Sequence, residues 1–445
     1  MILKTFKLGG VHPPENKVSA GAAIQHLPLP DKLFVPLSQH LGTPAKAIVN
    51  RGDDVKTGQL IAKSVGFISA NIHSPATGKV AKIDQIIDQT GYKRTAVFID
   101  TQEDVWEEGI DTSPDIERTI KLSKEEIIQR INDMGVVGMG GATFPTHIKM
   151  MIPEGKQIQY LIINGVECEP YLTSDHILMM EKGEEILIGT SILMKALGVD
   201  KSMVGIEANK PDAIAHLTKL TEKFQGITVH ALKVKYPQGG EKQLIKALTG
   251  REVPSGKLPL ETGCVVDNVG TAYAVYEAVQ KNRPLIQRVV TVTGNAARKH
   301  ANFLVRVGTP IEYLIEHAGG MPADLGKLIS GGPMMGKALV SPEAPITKGS
   351  SGLLLMPETE AKRAPIKNCI RCARCISACP MGLEPFLLAQ LVPHDKWDDA
   401  EANRIMDCIE CGSCHYICPS GRPLLDFIRL GKDKVGKIIR TRVKQ

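Results

Sequence analysis

The chain has 445 residues, 43% hydrophobic and 23% charged, which is too long for one hydrophobic core and excludes a disordered or fibrous protein. No apolar run approaches the roughly 18 residues that cross a bilayer, and the N-terminal MILKTFKLGGVHPPENK lacks a signal core, so a cytosolic chain with reduced thiols is expected. The net charge of +6 comes without an aromatic-interleaved basic stripe and gives no nucleic-acid signature.

Residues 1–112 are predicted to be β-rich. NRGDDVKTGQLIAKSVGFISANIHSPATGKVAKI has short apolar runs broken by Gly, Asp and Pro at strand-and-turn spacing. It resembles the barrel-sandwich hairpin of lipoyl and biotinyl carrier domains, where G-D-x-V-x-x-G-Q and P-x-x-G-x-V bracket a turn. Carriers place a modifiable lysine at that turn. Here it reads Gly66-Phe67-Ile68, so a structural barrel without a swinging arm is expected.

Over 113–284 helices alternate with strands. Ser123 and Glu126 form a capping box that opens the helix KEEIIQRINDMG. IQYLIIN is a continuous apolar run suited to a buried parallel strand. One helix is predicted around HILMMEKGEEILIGTSILMKAL, then a strand SMVGIEA and a helix with Pro211 in its first turn. A strand ITVHALKV and a helix GEKQLIKALTG, stopped by Gly250, complete a parallel α/β sheet. Residues 285–356 return to short strands around one helix, a small α+β module. A polar linker is expected over 357–363, a cysteine-rich region over 364–430 and a basic tail over 431–445. That tail reads as solvated, or as a contact for an acidic protein or an anionic membrane surface.

Eight of the ten cysteines fall in CIRCARCISACP (369–380) and CIECGSCHYICP (408–419). Each run has C-x2-C-x2-C-x3-C-P spacing, which wraps soft thiolates around a cubane iron–sulfur cluster. In two-cluster ferredoxins the fourth Cys of each run serves the other cluster. The expected sets are therefore Cys369, Cys372, Cys375 and Cys418, and Cys379, Cys408, Cys411 and Cys414. Zinc also accepts four thiolates, but rarely in this spacing twice over. The long helical spacer between the runs points to the α-helical ferredoxin type. Two adjacent clusters conduct electrons without making bonds, so they need terminals. Cys168 and Cys264 have no cysteine neighbours and read as buried thiols, and His73 and His147 read as structural.

GVVGMGGATFPTHIKM (135–150) supplies a candidate terminal. Gly138, Gly140 and Gly141 let backbone N–H groups approach a phosphate, and Lys149 adds charge. Such a turn alone is more often plain structure, and it follows a helix rather than the strand of a dinucleotide fingerprint. Three stretches join it. INGVECEPY (163–171) places Asn164, Glu167 and Glu169 at a strand's carboxyl end, where open α/β sheets bind ligands. YPQGGEKQL (236–244) puts Gly239, Gly240 and Glu241 at a helix start, and VVDNVGTAY (265–273) offers Asn268 and Thr271.

In this order the four stretches resemble the flavin- and NADH-binding subunit of respiratory complex I, whose pattern is G-x-G-G-x-G-F-P-T-G-x-K, N-x-x-E-x-E-P, G-E-E and N-N-V-E-T. The chain departs at Lys242 and Gly270, where acids are expected, and at Thr143, where the loop has Gly. The 285–356 module is similar to the same family's soluble-ligand-binding β-grasp domain. The whole ordered set, from barrel to cysteine runs, resembles the RnfC family of the Rnf electron-transport complex over nearly the full chain.

That resemblance implies a multidomain α/β and α+β fold: N-terminal barrel-sandwich, Rossmann-like parallel-sheet flavin domain, β-grasp module and α-helical two-cluster ferredoxin domain. It implies noncovalent FMN, NAD(H) as substrate and two [4Fe-4S] clusters. Gly138, Gly140, Gly141, Lys149, Asn164, Gly240, Glu241, Asn268 and Thr271 would line the flavin, with Glu167 and Glu169 as catalytic acids beside flavin and nicotinamide. It further implies a peripheral subunit on the cytoplasmic face of the membrane, joined to membrane and cytosolic subunits of one complex. That complex exchanges electrons between ferredoxin, reached through a partner subunit, and NAD, and moves Na⁺ or H⁺. Lys362, Arg363, Lys367, Arg371 and Arg374 suggest an acidic docking partner. Two alternatives stay open: a soluble cobalamin reductase of the propanediol-utilisation type, and a non-catalytic iron–sulfur relay whose flavin pocket has degenerated, as Lys242 and Gly270 would allow.

Overall fold

The barrel sandwich follows from alternation. In the strand Lys32–Pro36, Leu33 and Val35 point inward and are fully buried. It pairs with Lys93–Thr101, which pairs with Gly78–Ile87 and then Asp54–Val55. The facing sheet holds Lys46–Ala47, Leu60–Lys63 and Ile72–His73. Between the two lies a core of Leu33, Val35, Ile61, Ile72, Val80 and Ile99. The tip at Val65 and Phe67 is exposed. The computed structural model of the chain describes residues 3–444.

The flavin domain is a four-stranded parallel sheet in the order Ile227–Leu232, Ser202–Glu207, Tyr160–Asn164, Cys264–Asn268. Both faces are covered, so its central strand is a continuous apolar run. The capping box at Ser123 and Glu126 is present. The single helix expected over 176–197 is two helices, Ser174–Glu181 and Gly183–Leu197. They part at Lys182, whose φ of −126° and ψ of 28° leave the helix, and Gly183 after it lets a neighbouring helix approach, since a Cβ there would meet His216 and Leu220 at 2.8 Å. Gly189 lets Gly183–Leu197 close onto Val269–Gln280, since a Cβ there would sit 1.9 Å from the Ala272 carbonyl oxygen.

The β-grasp sheet runs Ile24–His26, Ala301–Arg306, Gln287–Thr293, Gly352–Pro357, Leu325–Ser330, Lys337–Ala338, with the helix Ile311–His317. Its first strand comes from the N-terminal segment, parallel to Ala301–Arg306. Residues before the barrel therefore belong to the other domains: Lys4 bridges Leu232, Val11 bridges Tyr236, and the Gly10 N–H reaches the Ala378 carbonyl at 2.9 Å. A charged N-terminal stretch gives no sign of such distant pairing in its own residues.

The cysteine-rich domain is helical around Leu383, Leu388, Ala400, Ile405, Ile428 and Val435. Residues 431–444 do not form a separate tail. They continue the helix Leu424–Lys444, whose apolar positions Leu424, Ile428 and Val435 are spaced to face the core. Its basic face is partly spent within the domain, as Arg442 pairs with Asp398 and Glu401. The segment read as a linker contains a short helix, Glu358–Ala361, held by the Glu358 N–H on the Asp324 carbonyl.

Candidate functional site

Register places the site. Asn164 lies opposite Asn268 at the carboxyl ends of neighbouring strands. The Asn268 side chain caps the helix Val269–Gln280 by accepting the Gly270 N–H at 2.7 Å. Its amide then donates to the Asn164 carbonyl at 3.3 Å and the Asp175 carboxylate at 2.6 Å. The glycine-rich loop folds over this pair. The Met139 N–H donates to the Thr271 hydroxyl at 2.9 Å. A Cβ on Gly140 would come within 2.9 Å of the Asn268 amide, and its φ of +79° would strain any side chain there. Gly141 faces open space, and Gly138 lies against Lys149.

Lys149, on the short helix Thr146–Met150, donates to the Val266 carbonyl at 2.6 Å and pairs with Asp267 at 3.2 Å. Burial disfavours its charge, but Asp267 and Glu241 outweigh that and hold it protonated. The other Asp267 oxygen is buried without a protein partner among the described residues. Gly240 opens the helix Glu241–Thr249, and the Asn164 amide donates to the Gly239 carbonyl at 2.9 Å. So Gly138, Gly140, Gly141, Lys149, Asn164, Gly240, Glu241, Asn268 and Thr271 all gather at one sheet end. The orphaned carboxylate oxygen can accept from a ligand hydroxyl or N–H, and the Cβ-free loop lets backbone N–H groups approach an anion; together they fit a group that carries both hydroxyls and a phosphate, such as FMN.

The two acids behave differently. Glu167 turns its carboxylate onto the helix Ser174–Glu181, accepting the N–H of Asp175 at 2.8 Å and of His176 at 3.2 Å. The Glu169 carboxylate accepts the N–H groups of Met334 at 2.6 Å and Met335 at 3.0 Å, in the β-grasp turn. A Cβ on Gly332 would lie 2.2 Å from the Glu169 side chain, so that turn must carry glycine. Burial pushes the Glu169 carboxyl up, against those N–H groups and the Tyr236 hydroxyl. Lys17 donates to the carbonyls of Glu167, Glu169 and Leu172 at 2.6–2.8 Å, and Lys210 to that of Val166 at 2.8 Å. Two ammonium groups thus clamp the loop that carries the acids. Sequence reasoning missed Lys17, Asp175, Tyr236 and Arg288. A charge inside the apolar run PLIQRVVTVT was the signal available for Arg288.

In the cysteine-rich domain, Cys379, Cys408, Cys411 and Cys414 line one small cavity, walled otherwise by apolar groups such as Leu383, Leu388 and Ile428. Backbone N–H groups reach two of the sulfurs, Leu383 to Cys379 and Glu410 to Cys408, both at 3.4 Å. Among the described residues no three ligating side chains converge on a single metal ion. Four thiols around an apolar volume, with amides aimed at sulfur, fit a cubane. Burial pushes the Cys408 thiol up to about 11, so the set gives up protons when iron enters. In the other set Cys375 lies within electrostatic reach of Cys418, and Cys369 and Cys372 are exposed. Cys168 takes the Gly239 N–H at 3.4 Å and Cys264 is buried in the sheet core.

The buried set is the one that abuts the flavin domain. The Tyr236 hydroxyl donates to the Cys411 carbonyl at 2.7 Å. The Gln243 amide reaches the Pro380 carbonyl at 3.3 Å, and Val11, Ala378 and Cys411 share one apolar cluster with Tyr236. Of the outer set, Cys369 and Cys372 lie in the continuously exposed run 362–374, with Lys362, Arg363, Lys367, Arg371 and Arg374, while Cys375 and Cys418 are half-buried.

Comparison with known proteins follows the same divisions. Residues 4–104 match the RnfC barrel sandwich hybrid domain, 131–277 the Nuo51 FMN-binding domain, 289–338 the SLBB domain and 362–419 the 4Fe-4S dicluster domain. In fold alone, the chain is similar to an NAD⁺-reducing [NiFe]-hydrogenase chain, with a TM-score of 0.51 and 18% identity over 73% of this chain and 65% of that one. The chain is 46% identical to the C subunit of the proton-translocating ferredoxin:NAD(+) oxidoreductase complex of Clostridium ljungdahlii, over 90% of this chain and 87% of the relative. It is 41% identical to the Na(+)-translocating counterpart of Acetobacterium woodii, over 97% of each. With an FMN-binding domain and a 4Fe-4S dicluster domain in one polypeptide, the chain belongs to the RnfC family of the Rnf-type ion-translocating ferredoxin:NAD(+) oxidoreductase complexes.

Proposed function

We propose that this chain exchanges electron pairs with NAD(H) at the carboxyl end of the parallel sheet and passes single electrons outward through the cysteine-rich domain to another subunit. One observation carries this reading: the flavin-site sheet end and the buried cysteine set share an interface, with Tyr236 touching Cys411 and lying beside Glu169. FMN, when bound, supplies the step between two-electron nicotinamide chemistry and one-electron cluster chemistry. Gly138, Gly140 and Gly141 would admit it closely, Lys149 and Asp267 would fix the pocket floor, and Asn164 and Asn268 would present amides at the strand ends. Glu167 and Glu169 act as positioning residues, since both carboxylates are engaged by backbone N–H groups that shape the loop and its contact with the β-grasp turn.

The outward path is read from exposure. Cys379, Cys408, Cys411 and Cys414 hold the cluster nearest the flavin site; Cys369, Cys372, Cys375 and Cys418 hold the one that meets the partner. Its basic rim selects an acidic subunit, through which ferredoxin is reached, and electrostatic steering speeds that encounter. No described helix is long and apolar enough to cross a membrane. In this reading the chain sits on the cytoplasmic face, where NAD(H) is met, and leaves Na⁺ or H⁺ movement to membrane subunits. Anaerobic titration of the purified chain with NADH tests the function: flavin and cluster absorbance should bleach together. A chain with both chromophores present that NADH leaves unbleached is not an NADH-linked subunit.

A further inference from the structure

Arg288 is the one residue of the β-grasp strand Gln287–Thr293 that sends a charge beneath the glycine-rich loop. It is 6% exposed. Its Nε donates to the Ser350 carbonyl at 3.1 Å, and Nη1 rests on the Met139 sulfur, inside the loop between Gly138 and Gly140. No carboxylate among the described residues forms an ion pair with it. Asp175 attracts it only from a distance and is itself taken by Asn268 at 2.6 Å. Burial of a guanidinium without a carboxylate partner is unfavourable and pushes its pKa down to about 10, leaving it charged at neutral pH. Such a group is retained where an anion completes it.

Its surroundings say where the anion goes. Nη1 lies 3.3 Å from the point a Cβ on Gly270 would occupy. Gly270 stands in the first turn of the twelve-residue helix Val269–Gln280, whose positive end faces the loop. The complex I pattern places a glutamate here. In this chain a side chain at 270 would crowd the guanidinium, so the missing acid and the buried Arg are two parts of one arrangement. Cβ-free loop, helix start and guanidinium converge on one spot, and all three favour negative charge.

We propose that Arg288, reaching across from the β-grasp domain, is the counter-charge for the phosphate of bound FMN, beside the start of the helix Val269–Gln280. The proposal rests on the FMN reading above, and its test separates the two. The full chain with its clusters is freed of flavin, and affinities for FMN and for riboflavin, which lacks the phosphate, are measured by flavin fluorescence. A charge-assisted phosphate contact of this kind contributes about 10–100-fold in affinity. Arg288→Met should lose that factor for FMN and change riboflavin affinity less than about threefold, with cluster absorbance intact. Arg288→Lys, which keeps the charge, should fall between, and it carries the test if the Met variant does not fold. Equal losses for both ligands, or an unchanged FMN-to-riboflavin ratio, would overturn the proposal. A wild-type chain that binds neither ligand overturns the FMN reading itself.

Discussion

Lys348 is 1% exposed and donates to the carbonyls of Asn71 and Gly135 at 2.7 and 2.6 Å, so one ammonium ties the β-grasp module to the barrel and to the root of the glycine-rich loop. Burial alone pushes its pKa down to about 7, from an ordinary value of 10.5. Between those values the unfolded chain binds more protons than the folded one, so this group's contribution to stability rises with pH. The neighbouring His40 and His73 are both held below their usual value by burial first, and so titrate below that window. Lys348→Met removes the titration. Wild-type stability relative to that variant should therefore improve by about 2 kcal/mol from pH 7 to pH 9, at 1.36 kcal/mol per proton and pH unit. Thermal unfolding of both proteins at the two pH values measures it, and a gap that stays level or shrinks refutes the linkage. At this scale the sequence was uneven. Gly140, Lys149 and Asn268 stood out because their chemistry is written in spacing. Lys348 did not, because nothing in its own stretch distinguishes a buried cation from a solvated one when its partners lie far along the chain, and the apolar run around Arg288 marks burial without naming what the charge meets.

Elements were legible where their signals are local. The capping box at Ser123 and the stop at Gly250 are both present, each fixed by residues within one turn. The close approach at Gly183 depends on a neighbouring helix and the continuation past Leu430 on a distant core, so neither shows in its own window. Glu167 belongs to the same class. Sequence position made it a catalytic acid, whereas its carboxylate takes two N–H groups at the start of Ser174–Glu181, the helix that presents Asp175 to Asn268. An acid there also meets the positive end of the helix. Glu167→Gln keeps the shape but loses the charge, so it should cost about 1 kcal/mol of stability while FMN content is retained and NADH-dependent bleaching slows by less than about tenfold. A variant of normal stability whose bleaching is abolished would return Glu167 to a direct role in the chemistry.

At the scale of the whole molecule, the doubled cysteine motif proposes the ligand sets, and the domain arrangement adds an order. Tyr236, Gln243 and Gly10 hold the Cys379, Cys408, Cys411 and Cys414 set against the flavin sheet, while Cys369 and Cys372 stand in open solvent. Motif spacing is symmetrical between the halves and carries no such order; contacts between residues 137–368 positions apart do. The two sets should therefore fail differently. Cys379→Ser strikes the inner set although Cys379 belongs to the first run, so about half the iron should go, and the remaining cluster should be reduced by NADH far more slowly than in the wild type, because its relay is gone. Cys369→Ser strikes the outer set, so flavin and the inner cluster should still bleach at the wild-type rate while transfer to an external acceptor falls. Iron analysis, cluster electron paramagnetic resonance and stopped-flow bleaching of both variants read these outcomes together. If Cys379→Ser leaves rapid reduction of the surviving cluster and Cys369→Ser slows it, the current runs in the opposite order and the exposed set is the one that faces the flavin.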